Sequence, residues 1–174
     1  MILLAVGILI GITAVFYYPD FAHELEDSLS GFAKHFRGLS KLQLAGAIFL
    51  NNALKTLVVI LLGTLLGVMA MVFLVVNGAA IGIAIYLSTQ SRGLWTSLLA
   101  VLPHGILELP AVLLGSSIGL MLGAHSIKQI FRTTETTLRS ELGRALKFFF
   151  AVIVPLLMLA ALVEAFVTSV VARL

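Results

Sequence analysis

His104 and Glu108 are the two residues of this chain whose types and spacing most directly suggest chemistry. They lie in a run from Leu94 to Ala124 that holds no other ionisable residue. Residues four apart stack on one face of a helix, with about 5–6 Å between their Cβ atoms. Within lipid, a histidine or a carboxylate costs a few kcal/mol unless it is paired or solvated, so it marks a functional site. Pro103 suits the first turn of such a helix, and Pro110 is expected to kink it.

The composition places these residues in a membrane. Hydrophobic residues make up 60% of the 174 and charged residues 11%, and the mean hydropathy is +1.14. A soluble domain carries roughly 25% charged residues. The chain is therefore predicted to be all-α, a polytopic integral membrane helical bundle that forms a single domain over residues 1–174. The net charge of +3 comes from basic residues clustered in one loop, which indicates membrane topology and not nucleic-acid binding.

The apolar runs and their interruptions predict about five spans. These are Met1–Tyr18, a long or broken helix from about Leu44 to Val76, Gly78–Thr89, His104–Gly123 and Phe148–Ala172. Asn51-Asn52 and Asn77-Gly78 interrupt the apolar stretch in the middle of the chain. The segment from Asp20 to Lys41 is charged and amphipathic, so it is expected to lie along the membrane surface. Leu94 to Leu102 is too short to cross, and is expected to be a half-helix or a re-entrant piece.

Charge bias predicts the orientation of these spans. Residues 128–147 hold five basic and two acidic side chains, whereas residues 20–41 hold four acidic and three basic ones. Because basic loops remain in the cytoplasm, the later loop is predicted to be inside and the earlier one outside. Five alternating spans then place the N-terminus inside and the C-terminus outside.

This topology brings five polar residues to one depth, in the outer half of the membrane. They are Asn51, Asn52, His104, Glu108 and Glu164. Glu164 would lie about 25 Å from the cytoplasmic face at 1.5 Å per helical residue. Lys55 lies one turn from Asn51 and is expected to reach the interface or a carboxylate, and Asn77 is a further polar residue within the spans.

Three chemistries fit such a cluster. It could be a closed hydrogen-bonded network between helices, a proton or solute relay, or a metal site. Two ionised carboxylates at similar depth repel, so a proton or a cation must neutralise one of them. The metal hypothesis is specific: His104, Glu108 and Glu164 bind one divalent cation, with zinc as the leading candidate. Asn51 or Asn52 would be a fourth ligand or would orient the imidazole. The chain contains no cysteine, which excludes a thiolate site.

Glycine series offer faces for close helix packing. They are Gly63-x-x-x-Gly67, Gly78-x-x-x-Gly82 and Gly115-x-x-x-Gly119-x-x-x-Gly123. Such series let helices approach closely in lipid, mostly within one molecule. Because three series exceed what a five-helix monomer requires, a homodimer is also predicted.

Several motifs resemble the stage II sporulation protein M family. They are Phe49-Leu50-Asn51-Asn52, Asn77-Gly78 with Gly82, Pro103-His104-Gly105 with Glu108-Leu109-Pro110-Ala111, and Pro155 with Ala160-Ala161 and Glu164-Ala165-Phe166. The resemblance covers most of the chain from about residue 40 onward. It implies a polytopic protein in the cell membrane of a bacterium or archaeon. In spore formers the namesake acts with two cell-wall hydrolases during engulfment, so envelope proteins of that kind are the implied partners. The resemblance supplies no catalytic chemistry.

Three functional classes remain open on the sequence alone. The leading interpretation is a non-enzymatic membrane protein that scaffolds or remodels the cell envelope around a metal-stabilised core. The second is a transporter of small solutes or ions, in which discontinuous segments at Asn51-Asn52 and Asn77-Gly78 expose backbone groups to a ligand. The third is an intramembrane metal-dependent hydrolase with Glu108 as base. No catalytic residue is assigned.

Overall fold

The computed structural model describes residues 1–18, 20, 24 and 38–168, apart from the side chains of 91, 92, 94, 96, 98–107, 167 and 168. Over these residues all regular structure is helical, as predicted. The helices are α1 (Ile2–Tyr17), α2 (Lys41–Gly63), α3 (Val68–Arg92), α4 (Leu94–Ile130), α5 (Leu138–Phe148) and α6 (Val154–Val163). A π-helical turn at Phe149–Ile153 joins α5 to α6, and a second one at Glu164–Thr168 follows α6.

The helices have the length and composition of a membrane bundle. In the part of the chain that the structure describes, four segments are long and apolar enough to cross a bilayer: Lys41–Gly63, Val68–Gln90, Glu108–Ile130 and Leu138–Phe166. The helix Ile2–Tyr17 is apolar but shorter. The prediction of a helical membrane bundle is confirmed. The predicted surface helix from Asp20 to Lys41 lies almost wholly outside the described residues.

The first glycine-lined contact joins α1 to α3. A methyl group on Gly78 would overlap the carbonyl oxygen of Leu4, and one on Gly82 would overlap the carbonyl oxygen of Ile8. The two pairs advance together along both helices, so α1 and α3 run in the same direction. Gly7 and Gly11 provide the matching small face on α1.

The second glycine-lined contact joins the end of α2 to α4. Gly63 lies against the backbone of Gly119, and Gly67 lies against that of Gly123. The predicted glycine series are therefore used between helices of one chain. The homodimer stays a prediction that would need a different surface.

Two contacts fix the direction of α2 relative to α4. Thr56 of α2 touches Gly115 of α4, and the hydroxyl of Ser126 donates to the carbonyl of Thr64 at 2.8 Å. Residue numbers rise together across this contact, so α2 and α4 are parallel. Because α2 and α3 flank a turn of only four residues, α3 returns antiparallel to both.

The break between the second and third spans was placed wrongly by the sequence. It lies at residues 64–67, where Leu66 has φ +58° and Gly67 has φ +77°. Asn77-Gly78 lies inside the continuous helix α3. The amide of Asn77 donates to the carbonyl of Phe73 at 2.8 Å, so its polar group is satisfied within its own helix and requires no interruption.

The expected half-helix before His104 is also wrong. Helix α4 runs without interruption from Leu94 to Ile130, 37 residues, or about 55 Å at 1.5 Å per residue. It begins after Gly93, which has φ +78°, and the hydroxyl of Ser97 donates to the Gly93 carbonyl at 2.8 Å. Gly93 therefore starts the helix, and Pro103 lies within it. Bundle helices tolerate proline where neighbouring groups satisfy the freed backbone carbonyl.

Helix α2 begins three residues before the predicted position because its start is capped. Ser40 accepts a hydrogen bond from the backbone of Gln43 at 3.3 Å, and the side chain of Gln43 accepts one from the Ser40 backbone at 2.9 Å. This reciprocal pair satisfies two of the backbone donors that a helix start leaves free. It places Lys41 at the first turn of the span.

Candidate functional site

The three helical segments that carry the predicted cluster residues pack around one core. We call the continuous run of α5, the π-helical turn and α6, Leu138–Phe166, the last helical segment. The core residues are Ile60 of α2, Ala111 and Leu122 of α4, and Ala145, Phe149, Ile153 and Leu157 of the last helical segment. Helices α1 and α3 form a glycine-lined pair, and α3 also packs against α4, where Ala70 lies beside Gly119. The segments bearing Asn51 and Asn52, His104 and Glu108, and Glu164 are thus held against one another by buried apolar side chains.

Asn52 and Glu108 lie in the same half of this three-segment group. Thr56 contacts Gly115, which fixes the alignment of α2 with α4. Asn52 precedes Thr56 by four residues and Glu108 precedes Gly115 by seven, about 6 and 10 Å along their axes. Asn52 and Glu108 are both half-buried, whereas Asn51 and Lys55 are exposed.

Glu164 lies toward the same end of the bundle. It is half-buried and opens the second π-helical turn. Two residues later the ring of Phe166 lies 5.3 Å from the ammonium group of Lys41, which begins α2. A π-helical turn changes the direction in which side chains project and frequently occurs at functional sites. The apolar sequence around Glu164 gives no signal for that turn.

His104 belongs to the α4 backbone one turn before Glu108, but its side chain lies outside the described part of the structure. Among the described side chains, no three histidines, aspartates or glutamates are close enough to hold a metal ion. The packing brings together the helices that would carry the ligands. The cation site itself remains a prediction.

Asn77 is placed apart from this group. It lies on α3, next to the Gly78 contact with α1, and its amide is bonded to its own helix. Of the polar residues singled out in the sequence, it alone belongs to neither α2, α4 nor the last helical segment.

Two buried hydroxyls escaped the sequence analysis. Thr56 is 1% exposed and Ser116 is fully buried, and neither oxygen has a hydrogen-bond partner among the described groups. Thr56 follows Asn52 by four residues and Ser116 follows Glu108 by eight, so each lies on the same helix face as the cluster residue that precedes it. That spacing is the feature of the sequence from which Thr56 and Ser116 could have been predicted. The helix faces that carry Asn52 and Glu108 therefore remain polar as far as the contact between α2 and α4.

The fold and its intramembrane polar residues define a polytopic α-helical membrane protein. The pattern that characterises the stage II sporulation protein M family matches residues 1–169. The chain belongs to that family. The match includes α1, which the motif resemblance from about residue 40 did not cover. No curated protein and no solved structure matches the chain.

Proposed function

We propose that this protein scaffolds or remodels the cell envelope without catalysing a reaction itself, and that one bound divalent cation stabilises its membrane core. The proposal rests on the core that α2, α4 and the last helical segment share, because these three segments bear the predicted ligands. Family membership supports a role in the envelope. Proteins of the cell-wall hydrolase type are the proposed partners.

The proposed cation ligands are His104, Glu108 and Glu164, with Asn51 or Asn52 as a fourth ligand or as a group that orients the imidazole. Glu108 and Glu164 are half-buried on neighbouring helical segments. A cation between them would remove the repulsion of two carboxylates within lipid. Zinc accepts one imidazole nitrogen with carboxylate oxygens in a four-coordinate site, whereas calcium requires six or more oxygens. We therefore propose zinc.

The structure removes the main argument for a transporter. It rested on discontinuous helices at Asn51-Asn52 and at Asn77-Gly78, where unwound backbone would meet a ligand. Both pairs lie within continuous helices. A bundle of continuous helices with apolar surfaces toward lipid fits a scaffold better than a carrier with broken helices.

Elemental analysis of the purified protein tests the cation. His104→Ala and Glu164→Ala should each lower zinc content and thermal stability together, and a chelator should reproduce both effects on the wild type. Glu135→Ala is the control, because Glu135 is exposed in the connection between α4 and α5. A metal-free preparation whose stability ignores chelators would contradict the proposal and would favour neutralisation by a proton.

The envelope role is tested separately in the host cell. Deletion of the gene should alter envelope shape. Expression of the Glu135→Ala variant in the deletion strain should restore that shape. Expression of His104→Ala should not restore it, provided that this variant reaches the membrane at the wild-type level. Uptake of a solute by proteoliposomes that contain only this protein would count against the scaffold role.

A further inference from the structure

A groove between α4 and α5 lies at the end of the bundle opposite the proposed cation site. Leu114, Ile118 and Met121 of α4 and Ala145 and Phe148 of α5 line its apolar length. The α4 residues recur at four- and three-residue spacing and extend along about 10 Å of that helix, and the two α5 residues cover about 5 Å of theirs. The groove encloses about 450 Å³, within the range of roughly 300–1,000 Å³ typical of small-molecule sites.

The groove opens toward a polar mouth. Glu141 and Arg144, in the first two turns of α5, line it. A smaller cavity of about 120 Å³ shares Met121 and Glu141 with the groove and adds His125 and Lys128. The apolar groove therefore ends among ionisable groups at the edge of the span.

The charge at this mouth is positive. Among the charged groups that line the groove and the smaller cavity, Arg144 and Lys128 outnumber Glu141. Arg144 donates to Glu141 at 3.0 Å, and their side chains are 69% and 15% exposed, respectively. The carboxylate is thus partly covered and neutralised, while the guanidinium extends outward. A group that approaches the mouth meets Arg144 and Lys128 before it meets Glu141.

We propose that this groove binds one anionic phospholipid. An acyl chain lies along Leu114, Ile118 and Phe148, and the headgroup phosphate contacts Arg144 and Lys128. The ligand must combine an apolar chain with a negative head, which is the chemistry of phosphatidylglycerol. The mouth also faces the leaflet predicted to be cytoplasmic, where basic residues attract anionic lipids. This proposal is independent of the cation site.

Native mass spectrometry of the full-length protein, released from nanodiscs of equal phosphatidylglycerol and phosphatidylcholine, tests the headgroup contact. The wild type should retain phosphatidylglycerol in preference to phosphatidylcholine. Arg144→Gln and Lys128→Gln should each reduce that retention about fivefold, which corresponds to about 1 kcal/mol per basic residue. Arg139→Gln is the matched control, because it removes the same charge from the same helix outside the groove and should leave retention unchanged.

Glu141→Gln should act in the opposite direction. It removes the negative charge from the mouth and releases Arg144, so retention of phosphatidylglycerol should rise. The double variant Glu141→Gln/Arg144→Gln is a control for misfolding, because it removes both charges of the ion pair and leaves no unpaired carboxylate. It should have the helicity of the wild type and the same elution volume in size-exclusion chromatography. It should retain less phosphatidylglycerol than Glu141→Gln alone.

Filling the groove tests the acyl-chain contact. Ser117→Phe adds a ring to the groove wall and should reduce lipid retention while the basic residues stay in place. Ile127→Phe places the same ring at an exposed position of α4 outside the groove and should have no effect. Equal losses in Arg144→Gln and Arg139→Gln, or equal retention of both lipids by the wild type, would overturn the proposal. A groove-filling variant that converts a dimer to a monomer with unchanged lipid retention would show a second copy to be the occupant instead.

Discussion

Gly63 and Gly119 meet backbone to backbone where α2 ends against the middle of α4. A methyl group on Gly63 would lie 2.8 Å from the carbonyl carbon of Gly119, closer than carbon atoms normally approach. Because lipid removes the hydrophobic drive between helices, close packing of small residues is a main source of their association. This contact joins α2 to α4 on the side of Thr56 and Gly115 that is away from the proposed cation site.

Gly63→Ala should lower the free energy of unfolding by about 1–3 kcal/mol, the usual cost of overpacking a filled interior. The obstructing atoms belong to backbone, so no side-chain rotation relieves the overlap. Gly46→Ala is the matched control on the same helix, because a methyl group there meets nothing within 4 Å. It should leave stability unchanged or raise it by about 0.5 kcal/mol. Unfolding in mild detergent followed by circular dichroism measures both variants. Equal stability of the two would contradict this packing.

Single-cysteine labelling should place Leu65 and Glu135 on one side of the membrane and Leu39 on the other. Leu65 lies in the turn between α2 and α3, Glu135 lies between α4 and α5, and Leu39 precedes α2. The chain has no cysteine of its own, so each introduced thiol reports alone. From the charge bias, Leu39 should react with an impermeant reagent from outside. A Leu65 thiol that labels from the same side as Leu39 would show that α2 does not cross.

Hydropathy alone was sufficient to predict an all-α membrane bundle, because composition and the length of apolar runs respond to the bilayer directly. Helix boundaries inside an apolar run were not predictable in the same way. Gly67 begins α3 in a left-handed conformation, whereas Gly78, an equally plausible breaker, packs against α1. Which of the two glycines breaks the helix depends on the tertiary contacts of each, and the local sequence does not show those contacts.

The candidate site was predictable in its residues but not in its arrangement. Charged and amide side chains are rare in these spans, so Glu108, Glu164 and Asn52 stand out in the sequence. The π-helical turn at Glu164 and the shared core of three helical segments depend on tertiary packing. Gly7 and Gly11 face α3 and have the same spacing as the predicted glycine series, although they were not among them.

Ser126→Ala should destabilise the junction between α2 and α4. The hydroxyl of Ser126 donates to the carbonyl of Thr64 at 2.8 Å and also lies 3.0 Å from the carbonyl of Leu122. Thr64 lies beyond the end of α2, so its carbonyl would lose an interhelical donor. Interhelical hydrogen bonds in membranes contribute about 0.6 kcal/mol on average and at most about 1.7. Thermal unfolding in detergent should show a loss in this range. Ser140→Ala, an exposed change on α5, should show none.

Thr56→Val should leave stability unchanged or raise it by about 1 kcal/mol. The Thr56 hydroxyl is buried and has no hydrogen-bond partner among the described groups, and a buried hydroxyl without a partner costs about 1–3 kcal/mol in desolvation. Valine keeps the shape of threonine and retains the methyl contact with Gly115. Thr64→Val is the matched comparison, because the Thr64 hydroxyl donates to the carbonyl of Leu61 at 2.7 Å. Its loss should lower stability by about 0.5–1.5 kcal/mol. A clear loss of stability in Thr56→Val would show that its hydroxyl binds a group, and zinc content measured on the same sample would decide whether that group is the proposed cation.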